Sequence, residues 1–278
     1  MFDQIEKVGH GSVIQHGKLN NRIYLMKLDK EDFPMILDWI NGLAKENSYT
    51  KIFCKVPFWV APLFISQGYI IEACIPKFYS GKDDAYFLSK FLSSDRLRDI
   101  EQDKLEEITR QLISGSNKNN SVGLKPEHSI IKLKPEDSKR ITELYKQVFD
   151  SYPFPIFDPE YIEKTMNNGV YYYGIEEKGN LIALASSETD MKAKNSEMTD
   201  FATLPKYRGN NLSIILLGEM EKRMKQEGFI TLYTIARVNS IPMNKTFLKL
   251  KYRYAGTLVK NTNISGKIES MGVYYKHI

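Results

Sequence analysis

The stretch that decides the fold reads Ser196-Glu197-Met198-Thr199-Asp200-Phe201-Ala202-Thr203-Leu204-Pro205-Lys206-Tyr207-Arg208-Gly209-Asn210-Asn211-Leu212. Its first part alternates the strand formers Thr199, Phe201 and Thr203 with polar or small residues, a pattern typical of a half-buried strand. Pro205 ends that strand because proline has no N–H to donate to a neighbouring strand. The stretch therefore predicts a strand, a tight polar turn and the beginning of a helix.

The turn is rich in residues that tolerate positive φ. It consists of Arg208-Gly209-Asn210-Asn211, where successive backbone N–H groups can converge on one point. Apolar residues at helical spacing predict the helix that follows, and they are Leu212, Leu216, Met220 and Met224. The free N–H groups of a helix start, together with the helix dipole, make such a place suited to binding phosphate.

This turn resembles motif A of the GNAT acetyltransferases, which reads Arg/Gln-x-x-Gly-x-Gly/Ala between a strand and a helix. Here the motif runs from Lys206 to Asn211 and keeps the central Gly209. Lys206 stands in place of the Arg or Gln, and Asn211 stands in place of the last Gly or Ala. The loop alone is equally compatible with an ordinary polar turn between a strand and a helix.

The order of the predicted elements extends this resemblance over residues 129–278. A strand, two helices and three strands precede the glycine turn; its helix, a strand, a helix and a hairpin follow it. This order, β-α-α-β-β-β-α-β-α-β-β, is the GNAT order. We therefore predict an α/β fold with a mixed sheet, with a catalytic GNAT domain over residues 129–278.

Residues 1–113 repeat part of the same pattern. Phe64 and Tyr69 correspond to Phe247 and Tyr252, and both pairs are 183 residues apart. A repeated strand–helix–hairpin pattern at a constant spacing indicates related half-folds, although β-α-β-β units also resemble one another without common origin. We expect a degenerate GNAT-like domain here, separated from the second domain by a linker over residues 114–128.

The first repeat lacks the glycine turn. Its strand over residues 22–28 is followed by Asp29-Lys30-Glu31-Asp32, whose three acids would repel phosphate. We therefore expect one acetyl-CoA per chain, bound by the second domain. We also expect the first half to pack on the second and to help build the acceptor pocket, because it carries more aromatic surface than a half-fold buries alone.

Composition and charge exclude several classes of protein. The chain has 278 residues, of which 42% are hydrophobic and 26% charged, as in ordinary globular proteins. Its net charge of +5 arises from interspersed signs rather than a basic stripe with spaced aromatics, so we expect no nucleic-acid partner. Neither a secretory signal nor a long apolar run is visible, and we expect a cytoplasmic protein with no membrane partner.

The sequence gives no indication of a metal site. Cys54 and Cys74 are too few and too far apart for a metal motif, which favours free buried thiols. No zinc-ligand spacing relates the four histidines, which are His10, His16, His128 and His277. We therefore expect acetyl-CoA as the only co-substrate and no metal.

Several segments are similar to the GNAT subfamily of β-lysine N6-acetyltransferases. They are residues 197–205 and 233–237, Met243-Asn244 with Phe247, and, in the first half, 68–77 and 90–92. The similarity covers nearly the whole chain, including a front half that ordinary GNAT proteins lack. It implies transfer of an acetyl group from acetyl-CoA to the terminal amine of β-lysine, which gives the neutral compatible solute N6-acetyl-β-lysine.

Such a reaction needs a base, because an alkyl ammonium has a pKa of about 10.4 and is unreactive when protonated. Glu197 and Asp200 lie on the strand that should run beside the pantetheine; Glu197 is the first choice for the base, Asp200 the second candidate and Glu188 the third. Glu197 and Asp200 have opposite parity, so a regular strand points them to opposite faces unless a bulge brings them together. Each is also compatible with a surface acid or with a partner for Arg237.

The resemblance implies contacts to acetyl-CoA from the strand, the turn, the helix start and the segment after the fifth strand. Phe247 stands where many GNAT enzymes have a tyrosine acid, so thiolate departure here would proceed without one. Asn244 is compatible with a cofactor contact or with a cap at a helix start. The aromatic loop with Tyr152, Phe154 and Phe157 would wall the acceptor site or simply pack. The expected cofactor-binding residues are Phe201, Ala202, Thr203, Arg208, Gly209, Asn210, Asn211, Leu212, Ser213, Asn239, Asn244 and Phe247.

Two other functions are compatible with these residues. Asn211 and Phe247 fit a degenerate acetyl-CoA sensor that has lost catalysis, and turnover of small amines would distinguish it from an enzyme. An acetyltransferase for another amine, a peptide or a ribosomal protein would keep the chemistry and change the acceptor. The preferred hypothesis is a small-molecule amine substrate and a monomer or homodimer.

Overall fold

The computed structural model describes residues 3–97, 110, 114 and 123–278. Most of the predicted linker lies outside these residues. We refer below to residues 3–97 as the N-terminal half and to residues 123–278 as the C-terminal half. The helices are α1 (Met35–Glu46), α2 (Ala61–Ser66), α3 (Ser94–Leu97), α4 (Ser138–Val148), α5 (Pro159–Asn167), α6 (Leu212–Gln226) and α7 (Ile241–Lys249).

The strands of both halves form one continuous sheet. In spatial order the described strands run β1-β2-β3-β4-β6-β5-β12-β13-β11-β10-β9-β8-β7. The mixed α/β fold is thereby confirmed. The strands are β1 (Gln4–Val8), β2 (Ser12–Gly17), β3 (Arg22–Lys27), β4 (Lys51–Pro57), β5 (Ile70–Tyr79), β6 (Asp83–Phe91), β7 (His128–Lys132), β8 (Val170–Glu177), β9 (Asn180–Asp190), β10 (Asn195–Thr203), β11 (Thr231–Arg237), β12 (Arg253–Ile264) and β13 (Lys267–His277).

The two halves share one strand order. The series β2-β3-β4-β6-β5 in the first half corresponds to β9-β10-β11-β13-β12 in the second. Each series contains one parallel pair, β3 with β4 and β10 with β11, and a crossover helix connects the two strands of that pair. The strand order therefore repeats between the two halves, with β5 and β12 side by side at the junction.

The strands β5 and β12 approach each other closely at the junction because a glycine lies there. Gly256 of β12 pairs with Ala73 of β5. A Cβ atom at Gly256 would lie 2.1 Å from the carbonyl oxygen of Glu72, and the φ of +151° is one that other residues rarely adopt. A side chain at Gly256 would therefore push the two halves apart.

A buried ion pair also joins the halves. The Nζ of Lys51 on β4 donates to Glu72 Oε2 at 2.8 Å and to the carbonyl oxygen of Val259 on β12 at 2.7 Å. The other oxygen of Glu72 accepts from the Val259 backbone N–H at 2.7 Å. Both charged side chains are almost fully buried. The first half therefore packs on the second through polar as well as apolar contacts.

The sheet curves strongly. Four strands separate β4 from β11 in the sheet, which would place them roughly 24 Å apart in a flat sheet. Nevertheless, Lys55 on β4 donates to the hydroxyl of Tyr233 on β11 at 2.7 Å. Helices α1 and α2 cover the convex face of the first half, so its opposite face is left to form a concave wall.

The acidic segment between β3 and α1 is used in local structure. The carboxylate of Asp32 accepts the backbone N–H groups of His10 at 2.7 Å and Ser12 at 3.1 Å, and also the Ser12 hydroxyl. These hydrogen bonds outweigh partial burial and lower the pKa of Asp32 to about 2. Asp29 accepts the N–H of Glu31 at 3.0 Å. The segment that corresponds to the glycine turn therefore presents carboxylates that its own half has already engaged.

In the part of the chain that the structure describes, we find no helix with the length and apolar character needed to cross a membrane.

Candidate active site

A cavity of about 280 Å³ lies in the concave wall between the two halves. Its lining comes from β3 and β4 of the first half, from β9, β10, β11, β12, β13 and α7 of the second, and from the loop after α4. Charged and aromatic side chains dominate it. Its polar side chains include Arg22, Tyr24, Lys55, Tyr152, Glu188, Glu197, Asp200, Tyr233 and Asn261.

A β-bulge in β10 brings Glu197 and Asp200 to one face. The register with β9 shifts between Thr199 and Ala202, and Asp200 has a φ of +54°. The extra residue reverses the parity of the strand, so both carboxylates line the same cavity. The bulge, which the sequence analysis considered only as an option, is therefore present. Aspartate tolerates the positive φ of this position better than most residues do.

Asp200 is held in place by hydroxyl groups. Its carboxylate accepts the Ser186 hydroxyl at 2.6 Å and the Tyr152 hydroxyl, with Thr199 at 3.4 Å. Burial raises the pKa of Asp200 above its usual range, and these hydrogen bonds oppose that rise. Because its acceptor positions are occupied, Asp200 acts as a fixed charge that also anchors the aromatic loop.

Glu188 and Glu197 are direct cross-strand neighbours on β9 and β10. Like charges at such positions repel each other, and the two carboxylates line one cavity. Burial, then the charges of Glu197 and Asp200, raise the pKa of Glu188 to about 8. Although protein surrounds Glu188, its side chain is exposed to the cavity, so water screens part of this repulsion. An acid poised near neutral pH in a cleft is typical of functional sites.

Glu197 has a partner that Glu188 lacks. The Tyr233 hydroxyl is hydrogen-bonded to Glu197 and accepts from Lys55 Nζ at 2.7 Å. Burial raises the pKa of Glu197, while Lys55 and Tyr233 oppose the rise. For Glu188, the charge of Lys55 opposes the rise, without a hydrogen-bonded partner beside it among the described residues. The pair is therefore asymmetric, with Glu197 the better stabilised anion and Glu188 the better proton acceptor.

The strands β10 and β11 diverge at the carboxylates. Their parallel pairing covers Asn195 to Glu197 and Thr231 to Tyr233 and then stops, whereas β10 continues to Thr203 and β11 to Arg237. Each strand remains paired on its outer side. The facing edges beyond Glu197 therefore carry backbone groups free to bind an extended ligand, such as a pantetheine arm.

The phosphate loop (residues 208–213) lies at the open end of this divergence. Gly209 has a φ of +85° and Asn211 a φ of +57°, and α6 begins at Leu212. Within the described residues, no acceptor takes the backbone N–H groups of residues 209–213. A Cβ atom built on Gly209 would meet no protein atom within 4 Å. Free N–H groups beside open space at a helix start fit a phosphate group.

The structure places the other expected cofactor residues at different depths. Phe201 lines the cavity and contacts the ring of Phe247 edge-on at 5.6 Å. Asn239 is exposed after β11. Ala202 and Leu212 are buried, Thr203, Asn210 and Ser213 are half-buried, and Arg208, Gly209 and Asn211 are exposed.

Asn244 is fully buried rather than open to the cavity. Its side-chain amide donates to the carbonyl oxygens of Arg237, Val238 and Ser240 at 2.9–3.0 Å. It thereby fixes the turn between β11 and α7. Phe247, one turn further along α7, is also buried and lines the cavity with a ring that offers no proton.

Other charged and aromatic side chains lie beside the cavity or away from it. Arg237 pairs with Glu269 at 2.7 Å, so it does not occupy the carboxylates of the cavity. Tyr152 and Phe154 line the cavity, whereas Phe157 packs in the core beneath α4. Glu127, His128 and Glu177 lie close together outside the cavity.

Sequence reasoning missed Arg22, Tyr24 and Lys55, which the first half contributes to the cavity. A signal was present, because Arg22 and Lys55 are charged residues within strands that otherwise read as apolar. Lys55 and Tyr24 are on the face opposite the apolar core of this half. Only the curvature of the sheet places them opposite Glu197.

A divergent pair of parallel strands, a glycine loop and a helix start define an acetyltransferase of the GNAT class. Residues 139–252 match the Acetyltransferase (GNAT) family. The chain is 42% identical over 95% of its length to the Beta-lysine N(6)-acetyltransferase of Methanococcus maripaludis, covering 96% of that protein. It is 31% identical over both full lengths to N-acetyltransferase YodP of Bacillus subtilis. It is also 30% identical over 87% of its length to the Beta-lysine N(6)-acetyltransferase of Methanosarcina mazei, covering 98% of it. The chain belongs to the GNAT acetyltransferase family.

Proposed function

We propose that this protein transfers the acetyl group of acetyl-CoA to the terminal amine of β-lysine and so makes N6-acetyl-β-lysine. Two full-length relatives carry the name of this activity. The observation that carries the chemistry is the position of Glu188 and Glu197. Glu197 and Tyr233 form the last pair before β10 and β11 diverge, so the carboxylates lie where a ligand between these strands would meet the cavity.

Residues 209–213 would hold the phosphates of acetyl-CoA through their free backbone N–H groups, and the open edges of β10 and β11 would hold its arm. When bound, acetyl-CoA supplies an acetyl thioester. The chain's own task is to deliver an uncharged amine. The size of the cavity, about 280 Å³, and its lining by both halves and by the aromatic loop with Tyr152 and Phe154 suit a small-molecule amine.

We propose that Glu188 and Glu197 bind the terminal ammonium and that Glu188 accepts its proton. Glu197, supported by Lys55 through Tyr233, remains an anion and attracts the cation. Asp200 keeps the bulge in place and adds negative charge. Departure of the thiolate requires no acid at Phe247, since a thiol has a pKa near 8.5.

We further propose that residues 1–113 are a degenerate GNAT-like domain, joined by a linker over 114–128 to the catalytic domain over 129–278. In this proposal the first half has given up cofactor binding and forms one wall of the acceptor site. Its engaged carboxylates at Asp29 and Asp32 support this division of labour.

The test is a release assay for free thiol with acetyl-CoA and a panel of amines: β-lysine, α-lysine, ornithine and spermidine. We expect β-lysine to give the highest kcat/KM, with mass spectrometry placing the acetyl group on N6 rather than N3. Glu188→Gln should lower kcat at least 100-fold, the usual scale for loss of a general base, and leave acetyl-CoA affinity unchanged. Glu219→Gln on the surface of α6 is the matched control. Equal activity on spermidine would contradict the proposed acceptor.

A further inference from the structure

Arg22 is a buried cation without an anionic partner. Its side chain is 4% exposed and lines the cavity. One Nη donates to the Asn261 carbonyl oxygen and to Thr262 Oγ1 at 3.2 Å, and the other donates to Gln15 Oε1 at 3.4 Å. The carboxylates that act on it are Asp3 and Glu72, and among the described residues neither forms an ion pair with it. Burial lowers the pKa of Arg22 only to about 10, so it remains charged at neutral pH.

Unpartnered polar atoms cluster around this guanidinium. In the described part of the chain, the buried Nε of Arg22, Nε2 of Gln15 and Oδ1 of Asn261 make no hydrogen bond. A buried polar atom without a partner is costly, and a charged one more so. Arg22 Nε and Gln15 Nε2 are donors, and Asn261 Oδ1 is an acceptor. Two of the three atoms are on residues that line a cavity, which indicates a ligand that carries both an anionic acceptor and an N–H donor.

Positive charge is in excess at this end of the cavity. Burial lowers the pKa of both Lys51 and Arg96, and the charge of Arg22 lowers each of them further. Two carboxylates, Asp3 and Glu72, act on Arg22 from beyond ion-pair distance, and both are already hydrogen-bonded elsewhere. Asp3 accepts from the Leu19 and Asn20 backbone N–H groups and from the Asn20 amide, and Glu72 accepts from Lys51 and Ser89. The missing partner of Arg22 is therefore an anion.

The Arg22 end lies apart from the carboxylates of the reaction site. Tyr24 is between them, because the charges of Glu197 and Arg22 both act on its hydroxyl, in opposite directions. Arg22 and Tyr24 are two positions apart on one face of β3, a rise of roughly 7 Å. The terminal nitrogen and the carboxyl carbon of an extended 3,6-diamino acid are about 7 Å apart, given bonds near 1.5 Å. Hydrogen bonds of about 3 Å at each end let such a molecule reach groups on both sides of Tyr24.

We propose that Arg22, contributed by the N-terminal half, binds the carboxylate of the acceptor and so selects an ω-amino acid over a polyamine. This inference rests on the proposed function and assigns the first half a direct role in specificity. A zwitterionic acceptor would lie with its carboxylate at Arg22 and its terminal ammonium at Glu188 and Glu197. A guanidinium suits this role because its planar N–H groups match the two oxygens of a carboxylate.

Lys55 is a weaker candidate for the same role. Its ammonium donates to Tyr233, and the charges that act on it most are those of Glu197 and Glu188. It lies at the negative end, where its charge is already compensated. A carboxylate placed there would meet the repulsion of two glutamates.

The test compares β-lysine with 1,4-diaminopentane, its analogue without the carboxylate. We expect wild-type kcat/KM to be at least about 100-fold higher for β-lysine. Arg22→Gln should lower kcat/KM for β-lysine about 100-fold, mainly through KM, and change that for 1,4-diaminopentane less than threefold. Arg22→Lys should recover part of the loss for β-lysine alone. Arg253→Gln, on the exposed part of β12, is the matched control and should leave both values unchanged.

The substrate pair separates recognition from folding. A merely structural role of Arg22 would lower activity on both acceptors together, and that result would overturn the inference while leaving the proposed function intact. If Arg22→Gln failed to bind acetyl-CoA, kcat/KM for the two acceptors would be compared between Arg22→Lys and wild type instead. Equal losses of kcat/KM on both acceptors would again refute the role of Arg22. A wild-type protein that acetylated neither compound would refute the proposed function and, with it, this inference.

Discussion

Replacing Glu197 by glutamine should move the pH dependence of the reaction to lower pH. Glu188, the expected proton acceptor, has a pKa of about 8, raised by burial first and by the charge of Glu197 second. Activity depends on the ionised form of Glu188, so kcat/KM should fall as the pH drops through this value. Removing the neighbouring anion lowers the pKa, and the midpoint of the acidic limb moves down.

The size of the shift follows from the cross-strand geometry. Directly opposed side chains lie about 5 Å apart, and two unit charges at that distance repel by about 3 kcal/mol at an effective dielectric constant of 20. That corresponds to roughly 2 pH units. Because Glu188 is exposed to water in the cavity, screening reduces the expected shift to about 1 unit. Burial and Asp200 remain, so the pKa should not return to that of a free glutamate.

The assay is the pH profile of kcat/KM for β-lysine between pH 5 and 9 in wild type and in Glu197→Gln. Glu219→Gln, a surface acid that pairs with Arg223, serves as control and should leave the midpoint in place. Carboxyl ¹³C NMR titration, assigned with Glu188→Gln, measures the same shift independently of turnover. An unchanged or higher midpoint in Glu197→Gln would show that the two carboxylates do not interact as the structure indicates. The role of base would then pass to Glu197 itself, Asp200 or water.

Gly209→Val should weaken acetyl-CoA binding more than tenfold in calorimetry. Gly228→Val, at a glycine that is equally open and has a similar positive φ, is the control and should not weaken it. Binding by Gly209→Val within twofold of wild type would refute the phosphate loop, and two binding sites per chain would refute a single cofactor. Glu72→Gln should lower the free energy of unfolding, measured in urea, by about 3–5 kcal/mol because it leaves Lys51 buried and without its carboxylate. The control Lys27→Gln removes an exposed ion pair and should lower it by less than about 1 kcal/mol. A fragment of residues 123–278 should be insoluble or inactive, and full activity on β-lysine would make the first half dispensable.

Much of the fold could be predicted from local sequence. The glycine turn, Pro205 and the apolar repeat of α6 act within a few residues of one another, and local signals of this kind fix where elements begin and end. The repeat between Phe64 and Phe247 was visible for the same reason. A pattern of this kind gives strand order by analogy but says nothing about curvature.

The candidate site depends on contacts that sequence patterns do not encode. The bulge at Asp200 was considered only as an option, because one extra residue in a strand leaves no periodic signature. Lys55 and Glu197 are 142 residues apart, and only the curvature of the sheet connects their sites. The alternation of side chains along a strand placed Glu197 and Asp200 on opposite faces in the sequence analysis. It gave no reason to rank Glu188 first, since the residue opposite Glu188 is known only once the register of β9 and β10 is known.

The shared topology explains why the two halves hold opposite ends of one cavity. The strand β3 corresponds to β10, and both turn residues toward the concave face. On β10 these residues are acids at the point where the strand leaves its parallel neighbour, as a base for an amine requires. On β3 the cavity face holds Arg22, and the parallel pairing with β4 covers four residues, Arg22 to Leu25, and leaves two further residues of β3. The divergent edge is therefore shorter here than on β10, which continues for six residues beyond its last pair at Glu197. With this shorter edge and with its acidic segment engaged in local hydrogen bonds, the first half offers a wall of fixed charge. In the proposed arrangement the two halves divide recognition of one acceptor, with the amine bound by the half that carries the divergent strands and the carboxylate bound by the half that carries Arg22.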